Sequence, residues 1–187
     1  MARIQIFEGN IVLESTDAIV NAANEMLLGG GGVDGAIHDA AGPELFKYFY
    51  ESRQRCPSGE AVLSPGFRLP CKYIIHTVGP IWRGGNRGEP ETLANCYRNC
   101  LALAAKQNCR SISFCCISTG VFGYPLVAAA RIALATVKAW LDEHGSNMLV
   151  RFCCYTDEDF ATYRKVADEL GIHAAVLNPS DESAPEP

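Results

Sequence analysis

Residues 29–42 read "GGGGVDGAIHDAAG". Four consecutive glycines run straight into a helical pattern, and Asp34 sits just past the turn. Such a run is entropically costly unless bare backbone is needed there. Residues 17–23, "DAIVNAA", read as a short apolar strand, so the glycines lie in a strand-to-helix loop. N–H groups at a helix N-terminus attract phosphate, and glycine lets the anion approach closely. A plain surface loop explains the run poorly, because a helix starts at once after it. Gly30, Gly32 and Gly35 formally satisfy the dinucleotide fingerprint G-x-G-x-x-G. The loop is too long for a tight Rossmann turn, however, and no acid stands at the end of a second strand to hold a ribose. No lysine follows the glycines, which excludes a Walker P-loop.

Outward from this loop, strands and helices alternate. "RIQIFEG" (3–9), "EAVLSPG" (60–66), "YIIHTVGP" (73–80), "SISFCCIS" (111–118) and "MLVRFCCY" (148–155) read as further strands. Helical spacing covers residues 33–52, broken at Gly42-Pro43, then 91–107, 125–144 and 157–170, with Gly171 just beyond the last. That alternation predicts a three-layer α/β/α sandwich with a mixed, mostly parallel central sheet. One domain over residues 1–176 is expected, followed by a polar, Pro-rich and disordered tail over 177–187. Ligands on such sheets bind beyond the carboxyl ends of the strands. A second loop there, "STGVFGYP" (118–125), repeats the logic of the first. Gly120 and Gly123 free the backbone, Ser118 and Thr119 add hydroxyls, and Phe122 and Tyr124 stand ready to stack on a sugar. Together the two loops predict a clamp for a nucleotide diphosphate.

Composition narrows the partners. The net charge is −5 and no Lys/Arg block appears, which argues against a nucleic-acid polymer as main ligand. No apolar run reaches membrane-span length and no signal-peptide pattern opens the chain, so a cytoplasmic location is expected. The nine cysteines lie mostly in apolar surroundings and read as core thiols of a reducing compartment. Cys96 and Cys100 share a helix face but lack two further ligands at zinc spacing. Neither a metal nor a cofactor is expected.

Three motifs, V-N-A-A-N, G-G-G-V-D-x-A-I-H and S-T-G-x-F-G-Y-P, occur in order over a stretch from about Ile4 to Leu170. With "GNIVLESTDAIVNAANEMLLGGGGVDGAIHDAAG" and "EAVLSPGFRLPCKYIIHTVGP", they resemble the macrodomain family, in particular its MacroD-type branch. The resemblance implies ADP-ribose binding, hydrolysis of ADP-ribose esters on acidic side chains, and deacetylation of O-acetyl-ADP-ribose. It implies a diphosphate held by Gly31, Gly32 and Val33 and by Ser118, Thr119, Gly120, Val121, Phe122 and Gly123, with Phe122 also on the distal ribose. It further implies Asn24 on that ribose, Asp34 as catalytic carboxylate, Tyr124 beside it, and Tyr155 stacked on adenine, with Asn10 and Ile11 at the base. Family members usually carry Asp where this chain has Asn10. Asn still offers a carbonyl oxygen to the adenine amine, but no charge.

Asp34 also suits a helix N-cap, and the two roles are compatible. His38, four residues on, shares its helix face and reads as structural, as does His76 in the apolar strand "YIIHTVG". Trp82 and Arg83 fall in a Gly-rich loop, where ligand contact and plain surface are equally good readings. Two functions share these loops: a monomeric hydrolase of ADP-ribose esters, with mono-ADP-ribosylated proteins as possible partners, or a reader that binds ADP-ribose uncleaved. Asp34 together with Asn24 favours the enzyme. A small NAD-dependent oxidoreductase lacks the length and the ribose acid.

Overall fold

The apolar runs become strands of a single sheet in the computed structural model, which describes residues 3–178. In chain order these are β1 (Ile4–Glu8), β2 (Ala18–Ala22), β3 (Ala61–Pro65), β4 (Tyr73–Thr77), β5 (Ser111–Phe114), β6 (Leu149–Cys154) and β7 (Ala174–Leu177). Helices α1 (Gly32–Ala41), α2 (Pro43–Ser52), α3 (Glu89–Lys106), α4 (Leu126–Glu143) and α5 (Asp157–Glu169) connect them. The strand order is β3-β4-β2-β5-β6-β1-β7, and every pairing is parallel except β3 with β4. The mixed, mostly parallel α/β/α sandwich read from the sequence is therefore observed. Central strands β2, β5 and β6 are largely buried on both faces because helices cover both.

Register decides which face each side chain takes. Val20 lies beside Phe114 and Phe114 beside Phe152, and these aromatics meet Tyr97 of α3 and Tyr163 of α5 at 5.0–6.4 Å. One residue further along, the alternation turns Asn21 and its register neighbour His76 to the other face. There the His76 ring meets Phe49 of α2 edge-on at 4.9 Å. Gly42 ends α1 and starts α2 at φ 87, which accounts for the break read at Gly42-Pro43.

One boundary differs from the sequence reading. Leu177, assigned to the tail, closes β7 and pairs with Phe7, so the domain extends past residue 176. A strand of four half-buried residues is too short to announce itself by periodicity. Residues 179–187 of the expected tail lie outside the described residues. Among those described, no helix is long and apolar enough to cross a membrane.

From β2 the chain turns to β3 and β4 on one side, whereas β5, β6, β1 and β7 lie on the other. The crevice beyond the carboxyl ends of β2 and β5 is thus the topological switch point. The glycine loop follows β2 and the S-T-G loop follows β5.

Candidate functional site

The glycine loop is held open from within. Asn24 Nδ2 donates to the Gly29 carbonyl at 2.9 Å, while its Oδ1 accepts the N–H groups of Met26 and Leu27 at 3.2 Å. Gly35 is required by close approach, because a Cβ there would meet the Gly30 carbonyl oxygen at 2.5 Å. The loop thus rests on the first turn of α1. Gly31 is the N-cap and offers no side chain, so first-turn N–H groups of α1 remain without a cap. Gly30, Gly31 and Gly32 are exposed and face solvent with bare backbone.

Asp34 is not that cap. Its carboxylate turns inward and is only 4% exposed. Oδ1 accepts a hydrogen bond from Asn21 Nδ2 at 2.8 Å, and His38 Nε2 stands 3.5 Å from the same oxygen. Burial pushes the Asp34 carboxyl above the usual carboxylate range, opposed by the Asn21 bond and by the charge of His38. His38 Nε2 and Asn21 Oδ1 are buried without a hydrogen-bond partner.

The S-T-G loop lies beside this on the neighbouring strand. Ser118 takes a left-handed backbone, φ 67, and its buried Oγ has no partner. Strain of that kind persists only where surroundings enforce it. The Tyr124 N–H returns to the Ser118 carbonyl at 2.9 Å and that of Gly123 to Gly120 at 3.0 Å, closing a tight arch. Thr119 Oγ1 donates to Cys116 O. Val121 is fully exposed at the crest and Phe122 half-buried. Tyr124 is buried, its ring 4.6 Å from that of Trp82, and burial with the nearby Glu89 charge raises its phenol pKa.

Trp82 proves to belong to this neighbourhood. Its N–H donates to the Phe122 carbonyl at 2.8 Å, tying the Gly-rich loop to the arch. Glu89 braces that loop: its carboxylate accepts the N–H groups of Arg83, Gly85 and Arg87 at 3.0, 2.7 and 2.6 Å. Burial opposes the Glu89 charge, yet these backbone donors outweigh it and lower the pKa to about 2. Arg83 itself stays exposed.

Further along the carboxyl edge, Tyr155 follows β6 and is 76% exposed. Asn10 follows β1, which pairs with β6. Asn10 Oδ1 accepts the Val12 N–H at 3.2 Å and caps the 3-10 turn Ile11–Leu13. The carbonyl oxygen expected to meet an amine is therefore already engaged with the backbone of the turn. Ile11 is buried, so only its backbone is available to a ligand.

The structure therefore joins Asp34, Asn24 and the glycines in one loop-helix unit, with the S-T-G arch on the adjacent strand. Tyr124 forms no hydrogen bond to Asp34 among the described residues and instead packs under Trp82. Sequence reasoning missed Asn21 and Glu89. Asn21 had a signal, since it is a lone amide in an apolar strand. Glu89 had none, because its role depends on three backbone groups of an irregular loop. Among the described residues, no cluster of three His, Cys, Asp or Glu side chains is placed to hold a metal. Eight of the nine thiols are buried and Cys116 is half-buried, in keeping with the core role read for them.

This geometry has close counterparts. The "Macro domain" family model matches residues 20–133. A macro domain-containing protein of Chlorobaculum tepidum is 53% identical over 163 residues, covering 87% of this chain and 94% of that protein. A Salmonella typhimurium protein named O-acetyl-ADP-ribose deacetylase is 47% identical over 173 residues, covering 91% and 97%. The Oceanobacillus iheyensis macrodomain, solved with ADP, superposes with a TM-score of 0.84 at 48% identity, covering 87% of this chain and 88% of that one. That neighbour has also been solved as an Asn-to-Ala, a Gly-to-Val and an Asp-to-Ala variant, the Gly-to-Val form with ADPR. Those three positions are separated by seven and three residues, the spacing of Asn24, Gly31 and Asp34 here.

Proposed function

The chain belongs to the macro domain family, and from that premise we propose that it binds ADP-ribose and hydrolyses esters at the distal ribose. The substrates proposed are O-acetyl-ADP-ribose and mono-ADP-ribose esters of acidic side chains. The observation that carries this reading is the Asp34 carboxylate: buried, raised in pKa, and set one turn inside a helix whose N-terminus is open to an anion.

In this reading the diphosphate sits on the N–H groups of Gly31, Gly32 and Val33 from one side and the arch from Ser118 to Gly123 from the other. Exposed Val121 and half-buried Phe122 cover the distal ribose, and Tyr124 and Trp82 wall it. Exposed Tyr155 stacks on adenine, with Asn10 and the Ile11 backbone at its edge. Asn24 holds both the glycine loop and the ribose. Asp34 takes a proton from a water molecule as the water oxygen attacks the ester carbonyl. The ribose oxygen then leaves, taking a proton as it departs, and free ADP-ribose and a carboxylic acid result. A base whose pKa lies above that of a free aspartate is better matched to this transfer near neutral pH. The name and identity of the Salmonella relative, and the spacing of Asn24, Gly31 and Asp34, support the same reading.

The test is to incubate the protein with O-acetyl-ADP-ribose and, separately, with a protein ADP-ribosylated on acidic residues. Release of ADP-ribose from both supports the full proposal, and release from the first alone restricts it to the deacetylase. Tight ADP-ribose binding with neither ester cleaved replaces it with the reader.

A further inference from the structure

Behind Asp34 the polar groups continue into the core in one unbroken line. Asn21 Nδ2 carries two hydrogens and has two neighbours, Asp34 Oδ1 at 2.8 Å and His76 Nδ1 at 3.1 Å. His76 Nε2 lies 2.8 Å from Ser64 Oγ, and Ser64 Oγ donates to the Pro65 carbonyl at 3.1 Å. Asn21 and His76 are 0% exposed, Ser64 1% and Asp34 4%. With the Asn21 amide placed in this way, the chain has one consistent polarity. Ser64 spends its proton on Pro65, so it accepts from His76 Nε2–H. His76 Nδ1 is then a bare lone pair and accepts from Asn21. The second Asn21 hydrogen remains for Asp34.

We propose that His76 and Asn21 are positioning residues for Asp34: the His76 lone pair fixes which way the Asn21 amide faces, and that amide holds the carboxylate. The proposal rests on the reading that Asp34 acts on the ester. Without an acceptor at His76 Nδ1, the Asn21 amide is free to turn over. Its carbonyl oxygen, which has no hydrogen-bond partner now, would then oppose the carboxylate and repel it. The bond to Oδ1 leaves Oδ2 toward the glycine loop, where it lies 3.2 Å from the position of a Cβ on Gly30. That is the oxygen left for the reacting water.

The line crosses three parts of the fold. Register sets Asn21 beside His76 on β2 and β4, antiparallel β3 brings Ser64 to the far side of the ring, and α1 delivers Asp34. Phe49 of α2 closes the ring in from above, edge-on at 4.9 Å. Burial holds the His76 pKa down to about 3, so the imidazole stays neutral through the working range. The other titratable group at Asp34 is His38 of its own helix, 3.5 Å away.

Two measurements test this. In the wild-type protein with 15N-labelled histidine, the His76 imidazole should show a protonated Nε2 and an unprotonated Nδ1, unchanged between pH 5 and 8 by the polarity above. A protonated Nδ1, or a charged ring, overturns the proposal without reference to any enzymatic activity. The second is a pair of variants. In His76→Asn the new Oδ1 takes the place of Nδ1 and still accepts from Asn21, whereas His76→Leu fills the space with no acceptor. His76→Asn should turn over O-acetyl-ADP-ribose about tenfold faster than His76→Leu, the size of effect typical of groups that orient a reacting residue. ADP-ribose affinity by calorimetry should be the same in both. Equal kcat in the two folded variants overturns the proposal. If neither folds, the nitrogen shifts of the wild type still decide it. Should the wild type bind ADP-ribose yet cleave no ester, the hydrolase reading fails while the tautomer result stands on its own.

Discussion

Asn21 Nδ2 lies 2.8 Å from Asp34 Oδ1 in a site where both side chains are buried. An amide that donates to a buried carboxylate stabilises its charged form, while burial works against that charge. The two effects leave a carboxylate that is oriented, buried and raised in pKa.

Asp34→Ala should therefore separate chemistry from binding. Ester hydrolysis at saturating substrate should fall by about 10² or more, typical of a positioned acid–base group. ADP-ribose affinity should stay near the wild-type value, since the proposed diphosphate and adenine contacts are untouched. Single-turnover rates and calorimetry on the folded variant give both numbers. Wild-type turnover in that variant would remove Asp34 from the mechanism.

The same burial predicts that Asp34 destabilises the fold. Its folded pKa is raised, so the carboxyl is accommodated fully below its unfolded value near 3.8 and costs stability as pH rises through the folded pKa. Asp34→Asn keeps an acceptor for Asn21 and removes the charge. It should melt higher than wild type at pH 7, by roughly 2–4 °C for each kcal/mol in a domain of this size. The advantage should shrink on acidification toward pH 3.8. A variant less stable than wild type at pH 7 would show that the Asn21 bond outweighs desolvation.

Gly32 has φ 57, and a Cβ placed there meets nothing within 4 Å. A side chain therefore fits the free protein but projects into the proposed phosphate cradle. Gly32→Ala should cost about 1 kcal/mol in backbone strain. Gly32→Glu carries the same strain and adds a negative charge where a diphosphate must approach. Calorimetry should find ADP-ribose binding weakened in the first and abolished in the second. Equal affinities for the two variants would place the anion elsewhere.

Asn10 spends its carbonyl oxygen on Val12 N–H. An aspartate at this position would cap the turn with one oxygen and present the second to the adenine amine. Asn10→Asp should tighten ADP-ribose binding by on the order of 1 kcal/mol, several-fold in affinity, because bonds to charged acceptors are worth roughly 1.5–3 kcal/mol against about 0.5–1.5 for neutral ones. A titration showing equal or weaker binding would detach Asn10 from the base.

Glu89 gathers three backbone N–H groups of the loop that carries Trp82. Its folded pKa is about 2 against an ordinary glutamate value of 4.5, so its contribution is complete above 4.5 and disappears as pH falls through about 2. Glu89→Gln replaces one acceptor oxygen with a donor that faces those N–H groups. Trp82 emission should shift and KM for O-acetyl-ADP-ribose should rise several-fold with kcat little changed. Unaltered emission and KM would show that the loop stands without its brace.

Sequence alone settled the layers of this protein and the two loops that meet at its sheet edge. Alternating apolar strands and amphipathic helices carry that information locally, and glycines before a helix start mark bare backbone at a helix N-terminus, the kind of place that suits an anion. Asp34 was legible for the same reason, as an acid fixed to a motif. What it touches was not. Asn21 and His76 lie 55 residues apart and meet only because β2 and β4 pair in that register. The capping role open to Asp34 lost to an inward turn that depends on Asn21 being on the α1 side of β2. The Glu89 brace and the Trp82–Tyr124 contact arise from loops with no period to read. A four-residue strand such as β7 is decided by the free edge of β1 beside it, not by its own residues. Short-range pattern is written in the chain. Hydrogen bonds among buried polar groups depend on which strands become neighbours, and only the folded sheet decides that.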